Sequence, residues 1–316
     1  MFSRWGQHHT GVVLISVLLI LAVATVLVAA MLKDQHIATH SIVGQITRAQ
    51  AREYALGGEE IARQMLYEDW EKNPLTDHLG EIWASEALEY EFEQGALVIR
   101  INDRQSCFNV NSLAVAGNQR ALNLARFQRL LSQLGVNTAF ADRLVDWIDG
   151  DQTPGNQGAE DYHYLGLEAA YRTGDTLMAD ISELKLLLEM TPEEYELLAS
   201  FVCVLPVAST GININTANAQ LIMSLDNGLS AAQAEQAVTG RGNEGYNDLG
   251  EFETQLGSPP GLQLAGLSLN SSYFEVSVEA HYQNKVVWLT SLIDRNLADG
   301  TMRVIYRDFS KKSLFH

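Results

Sequence analysis

Hydrophobic positions are spread very unevenly along this chain. Val12–Leu32 is an almost unbroken apolar run of 21 residues, with Ser16 and Thr25 as its polar interruptions. As a helix rising about 1.5 Å per residue it spans roughly 30 Å, the thickness of bilayer hydrocarbon. A helix also satisfies its own backbone in that medium. The run is too long for a secretory signal, and helical patterning continues past its end, so it reads as a retained anchor. Beyond Leu32 the pattern turns amphipathic. No proline occurs before Pro74, and Ile42, Ile46, Ala49, Tyr54, Ile61 and Met65 form one broad stripe. The spacing predicts a single helix from about Val12 to Lys72, roughly 90 Å long, whose last third packs that stripe on a soluble body. Gly44 and Gly57–Gly58 are weak points where it could bend. The alternative is a tether followed by a separate helix.

Alternation of period two appears in two places only. Tyr90–Asp103 reads as a strand, a turn near Gln94–Gly95 and a second strand carrying Leu97, Ile99 and Ile101. The β signal then vanishes until Tyr273–Tyr282, Val286–Ile293 and Met302–Tyr306, with Gln283-Asn-Lys and Leu297-Ala-Asp-Gly as hairpin turns. Between them, residues 119–148, 181–204 and 218–255 carry helical patterns. The predicted fold is α+β: a long amino-terminal helix on an antiparallel sheet, with a helical block inserted in the sheet. In segments, this gives a leader over 1–11, an anchor over 12–32, helix and first strands over 33–112, an inserted helical body over 113–270, and closing strands over 271–316.

Charge changes the picture in two ways. Acidic residues outnumber basic ones 39 to 21, a formal charge of −18, which disfavours nucleic acid as a partner because phosphate neutralisation supplies most of that affinity. Arg4, His8 and His9 precede the span while Lys33 is matched by Asp34, which places the bulk of the chain outside the cytoplasm.

The densest candidate chemistry is the segment holding Asp146, Asp149, Asp151, Glu160 and Asp161. Asp149, Asp151 and Glu160 fall at the first, third and twelfth places of an EF-hand count, but Pro154 stands where that loop needs its glycine, so this is not an EF-hand. Five carboxylates folded together repel without a cation, and oxygen ligands on a loop suit Ca²⁺. The plain alternative is a solvated acidic loop.

Asn213–Tyr246 resembles a helix-hairpin-helix (SAM-like) layout, but its turn, Asn227-Gly-Leu-Ser230, lacks one of the two usual glycines. Arg241 is its one basic residue, so a phosphate would meet a negative field. Gly240-Arg-Gly-Asn-Glu-Gly245 fits a dinucleotide fingerprint literally, yet follows a helical pattern rather than a strand. No G-x-S-x-G, H-E-x-x-H or P-loop pattern occurs. The chain therefore reads as non-enzymatic. A tethered carboxylate-pair hydrolase remains the catalytic alternative, since pair distances are invisible in sequence.

Tyr54-Ala-Leu-Gly-Gly-Glu-Glu, Leu79-Gly-Glu-Ile-Trp-Ala, Cys107-Phe-Asn-Val-Asn-Ser-Leu, Asp146-Trp-Ile-Asp-Gly-Asp, Gly158-Ala-Glu-Asp-Tyr-His-Tyr and Ile214-Asn-Thr-Ala occur in order. With the leader and anchor, this series resembles the K-type minor pseudopilins of bacterial type II secretion systems, within the type IV pilin-like superfamily. The resemblance covers nearly the whole chain. It implies cleavage between Gly11 and Val12 by prepilin peptidase, with methylation of the new amino terminus. It also implies an inner-membrane anchor, a periplasmic body, and structural Ca²⁺ in the insertion. The family's usual glutamate at mature position five is here Ser16. That carboxylate is thought to neutralise the terminus of the subunit ahead, and a charge in lipid is costly unless paired, so its loss suits a subunit at the tip. The implied partners are the I- and J-type minor pseudopilins and the major pseudopilin, with secreted substrates or the outer-membrane channel as further contacts. A pilin-like DNA-uptake protein is the rival function. In an oxidising periplasm, Cys107 and Cys203 are expected to form a disulfide closing a loop of about 96 residues, worth roughly 3–5 kcal/mol; two buried free thiols are the alternative.

Overall fold

The computed structural model describes residues 10–310. The leader positions Arg4, His8 and His9 therefore lie outside the described residues. Helix α1 runs unbroken from Thr10 to Lys72. Its apolar third is exposed along its length and is long and apolar enough to cross a membrane. The hydroxyls of Ser16 and Thr25 donate to the carbonyls of Val13 and Ala22, each at 2.8 Å. Neither polar interruption therefore brings an unpaired donor into an apolar surrounding.

The packed face of α1 overlaps the expected stripe only in part, at Tyr54 and Ile61. Ile42 and Ile46 are more than half exposed, while the fully buried positions are Ala51, Ala55, Ala62 and Leu66, with Gly58 also buried. The cause is close approach: a Cβ on Gly58 would stand 2.7 Å from Val278 Cγ1. At Gly58 even a methyl group does not fit between this helix and its sheet. Gly58 is thus a packing contact rather than a bend, and the helix also continues through Gly57 and Gly44. Tyr54 flanks the seam, with its ring stacked on Phe92 and Tyr282.

The sheet is built from β1 (Leu88–Phe92), β2 (Gly95–Asp103), β7 (Tyr273–Tyr282), β8 (Lys285–Arg295) and β9 (Met302–Asp308), in that spatial order. All four pairings are antiparallel. Its inner residues Ile99, Ile101, Phe274, Val276, Val278 and Leu289 form one core with α1. The chain leaves this layer after Asp103 and returns at Tyr273, so β2 and β7 are neighbours in space across an inserted body.

That body holds β3 (Phe108–Asn109), α2 (Asn118–Leu134), α3 (Ala139–Ile148), α4 (Asp161–Leu165), α5 (Pro192–Ala199), β4 (Val202–Cys203), β5 (Ile212–Asn213), α6 (Ala219–Met223), α7 (Ala231–Gly240), α8 (Leu249–Gln255) and β6 (Leu267–Ser268). It has its own core. Phe108 and Val110, grouped by sequence with the first strands, belong to this second core. The parallel pairs β3·β4 and β5·β6 interrupt what reads as a purely helical block. Each strand has two residues, too few for alternation to show. Cys107 and Cys203 are joined as a disulfide beside the first of these pairs.

A buried polar hub locks the insertion to the sheet. Asp77 is paired by Arg295 of β8 at 2.5–2.6 Å, with both side chains 1% exposed. Asp103, at the end of β2, accepts from Gln105 N–H, Asn213 Nδ2, Thr216 Oγ1 and Ser271 Oγ at 2.5–3.0 Å. Asn213 also donates to the Asp77 carbonyl. The connection, the sheet and the insertion thus share one network, in which every carboxylate oxygen of Asp77 and Asp103 has a donor.

Candidate metal centre

The acidic segment folds back on itself at the end of α3. Asp149 is the first residue beyond that helix, where the unpaired carbonyls of the last turn favour positive charge. Asp151 follows on the loop, and Glu160 precedes α4. Asp149, Asp151 and Glu160 each bring one carboxylate oxygen within 4.8 Å of the others. Oxygens bound to one Ca²⁺ at 2.3–2.6 Å lie up to about 5 Å apart. Glu160 is fully buried, and both its carboxylate oxygens, with Asp149 Oδ1, have no hydrogen-bond partner. Burial, reinforced by Asp146, Asp149, Asp151 and Asp175, pushes the Glu160 carboxyl up to about 7. Burial and the neighbouring Asp151 likewise raise Asp149, against the pull of Arg120 at 3.6 Å. Buried, unpartnered oxygens among like charges form a donor set suited to a hard divalent cation.

Two of the five predicted ligands stand apart. Asp146 accepts the Gly155 N–H on both oxygens, at 3.1 and 3.0 Å, and a Cβ on Gly158 would collide with its carboxylate. Its work is to fold the loop over. Asp161 accepts from Thr173 N–H and Oγ1 and pairs with Arg172 at 3.1 Å, so its oxygens are already satisfied. Asp175 is the residue that sequence reading missed. Its backbone is left-handed, with φ 46°, held by its N–H on the Trp147 carbonyl and by Thr173 Oγ1 on its carboxylate. A non-glycine residue in that conformation is uncommon and costs energy. In sequence the signal is faint, an aspartate after Gly174 in a loop.

The other sequence-marked positions are also placed. Val12 and Ser16 lie in the exposed apolar part of α1, and Gly11 in its first turn. Arg241 is buried and donates to the carbonyls of Ile214 and Ala217 at 3.1 and 2.7 Å, so it cannot meet a phosphate. Of the glycines around it, Gly240 ends α7 and Gly242 and Gly245 lie between α7 and α8, so a helix rather than a strand precedes them.

Residues 106–207 and 212–273 match two family models described as type II secretion system (T2SS), protein K. A type II secretion system protein K from Pseudomonas aeruginosa is 36% identical, over 98% of this chain and 95% of the relative. A second, from Klebsiella pneumoniae, is 32% identical over 82% of each. Among solved structures, a chain of the GspK–GspI–GspJ complex from the enterotoxigenic Escherichia coli type 2 secretion system superposes with a TM-score of 0.75. It is 26% identical and covers 85% of this chain and 99% of that one.

Proposed function

The chain belongs to the type II secretion system protein K family, and from that premise we propose that this minor pseudopilin closes the tip of a periplasmic pseudopilus. The observation that carries the reading is the match, over most of both chains, to a member of a complex containing GspI and GspJ. The inserted body adds a second core beside the helix–sheet layer, a bulk that suits a cap better than a repeating unit of a thin fibre. The inner membrane holds α1 until assembly, when lipid around Val12–Leu32 is exchanged for neighbouring helices and apolar burial replaces apolar burial. Prepilin peptidase cuts between Gly11 and Val12. Ser16 leaves no carboxylate seeking a subunit ahead. The role is structural, in starting and capping the filament for protein secretion. The rival DNA-uptake reading finds no support in the comparisons, and Arg241 is consumed internally.

Asp149, Asp151 and Glu160 are the residues that would hold Ca²⁺, which supplies the positive charge this loop lacks, and Asp175 adds to the negative field on them. The test is co-expression of the full chain with I- and J-type partners, followed by purification from membranes in calcium or in chelator. The expected result is a ternary complex in calcium that falls apart or loses yield in chelator, with Val12 as the amino-terminal residue by mass spectrometry. A chain that never recovers with either partner overturns the tip assignment. A complex indifferent to chelator overturns the calcium assignment alone.

A further inference from the structure

We propose that His36 and His40 form a two-imidazole site for a borderline divalent transition-metal ion such as Zn²⁺ or Ni²⁺, open on its remaining coordination positions. The two residues lie four apart on α1, hence on one helix face, and their ring centroids are 4.2 Å apart. Both are exposed. They differ from the other described histidines. His78 accepts from Gly80 N–H and pairs with Glu81, His163 accepts from Glu160 N–H, and His281 pairs with Glu279. Among the described residues, His36 and His40 have each other as ring partners and make no side-chain hydrogen bond or ion pair. Two histidines at this spacing on one helix face are a proven zinc-chelating arrangement, and imidazole nitrogen prefers Zn, Cu and Ni over hard ions. The acidic loop, by contrast, offers oxygen alone, so the two sites are chemically distinct. Their place sharpens the consequence. His36 lies four residues past Leu32, about 6 Å along the helix axis, just beyond the apolar span. A metal bound there keeps vacant positions for water or a ligand from a neighbouring molecule. The site depends on the helix alone and stands whether or not the chain caps a filament.

The experiment is a titration of Zn²⁺ into the full chain in detergent micelles, with calcium kept saturating, followed by imidazole resonances in NMR and by calorimetry. Zn²⁺ should shift His36 and His40 together and leave His163 and His281 unmoved. His36→Ala and His40→Ala should each weaken binding at least about tenfold, as loss of a ligand exceeds the cost of losing an outer partner. Ala38→His combined with His40→Ala keeps two imidazoles but sets them on opposite faces, and should stay as weak as His40→Ala. Equal affinity in wild type and variants, uptake centred on other histidines, or no uptake at all overturns the proposal.

Discussion

Two acidic clusters of similar composition, one where α1 ends and one in the inserted body, are resolved in opposite ways. Asp69, Asp77 and Glu81 gather where α1 ends. There Arg295 pairs Asp77, Trp83 Nε1 donates to Glu81 at 2.6 Å, and His78 stands 3.3 Å from Glu81. Asp149, Asp151 and Glu160 gather where α3 ends, and among the described residues the one ion pair they make is that of Arg120 with Asp149, from a partly exposed position. The first cluster carries its own counter-charge and ties three parts of the chain together. Its one orphaned carboxylate oxygen is Asp69 Oδ2, whereas the second cluster leaves Asp149 Oδ1 and both Glu160 oxygens without a donor and lacks that charge. An acidic triad is therefore not a metal site by virtue of its acids; what decides is whether the fold has already placed a cation and donors against them.

The largest effect should come from breaking the internal pair. Arg295→Met leaves Asp77 buried and unpaired, and should cost about 3–5 kcal/mol in denaturant melts, equally in calcium and chelator. Adding Asp77→Asn should recover part of that loss. Next comes calcium itself. At roughly one hundred times its dissociation constant it should stabilise the chain by about 2.7 kcal/mol, and Glu160→Gln should abolish that increment while leaving the chelated protein no less stable. An unchanged melt in calcium, or a full increment in the variant, would dissolve the contrast between the clusters.

The pH dependence separates them further. Burial, with Glu81 and Asp77 nearby, raises Asp69 to about 7, and burial raises Asp103 to about 6. A folded state that keeps a proton which the unfolded chain releases near 3.8 loses stability as pH rises. The difference in stability between wild type and Asp69→Asn should therefore shift against wild type from about pH 4 to about pH 7. Calcium should not alter that difference. The smallest effect is expected for Arg172→Ala. It removes an ion pair whose arginine is 73% exposed and should change stability by less than about 1 kcal/mol, with calcium affinity essentially kept.

The anchor, the long helix and the five sheet strands were legible because each repeats a short period over many residues. The sign and density of the acidic loop were legible for the same local reason. The packed face of α1 was legible only in part: alanine and glycine at 51, 55, 58 and 62 carry little hydrophobic weight, and the value of Gly58 lies in how close Val278 comes. Nor were β3·β4 and β5·β6, whose two-residue strands have no pattern to read.

The sequence by itself determined that a greasy helix precedes an acidic, split-sheet body, because hydrophobic periodicity and charge are properties of neighbours along the chain. Only the tertiary structure decided which acids are paired. It brought Arg295 to Asp77 across 218 positions, turned Asp146 and Asp161 to holding the loop, and brought Asp175 within electrostatic reach of Glu160. Electrostatic energy depends on distance in space and on burial, and a linear pattern encodes neither.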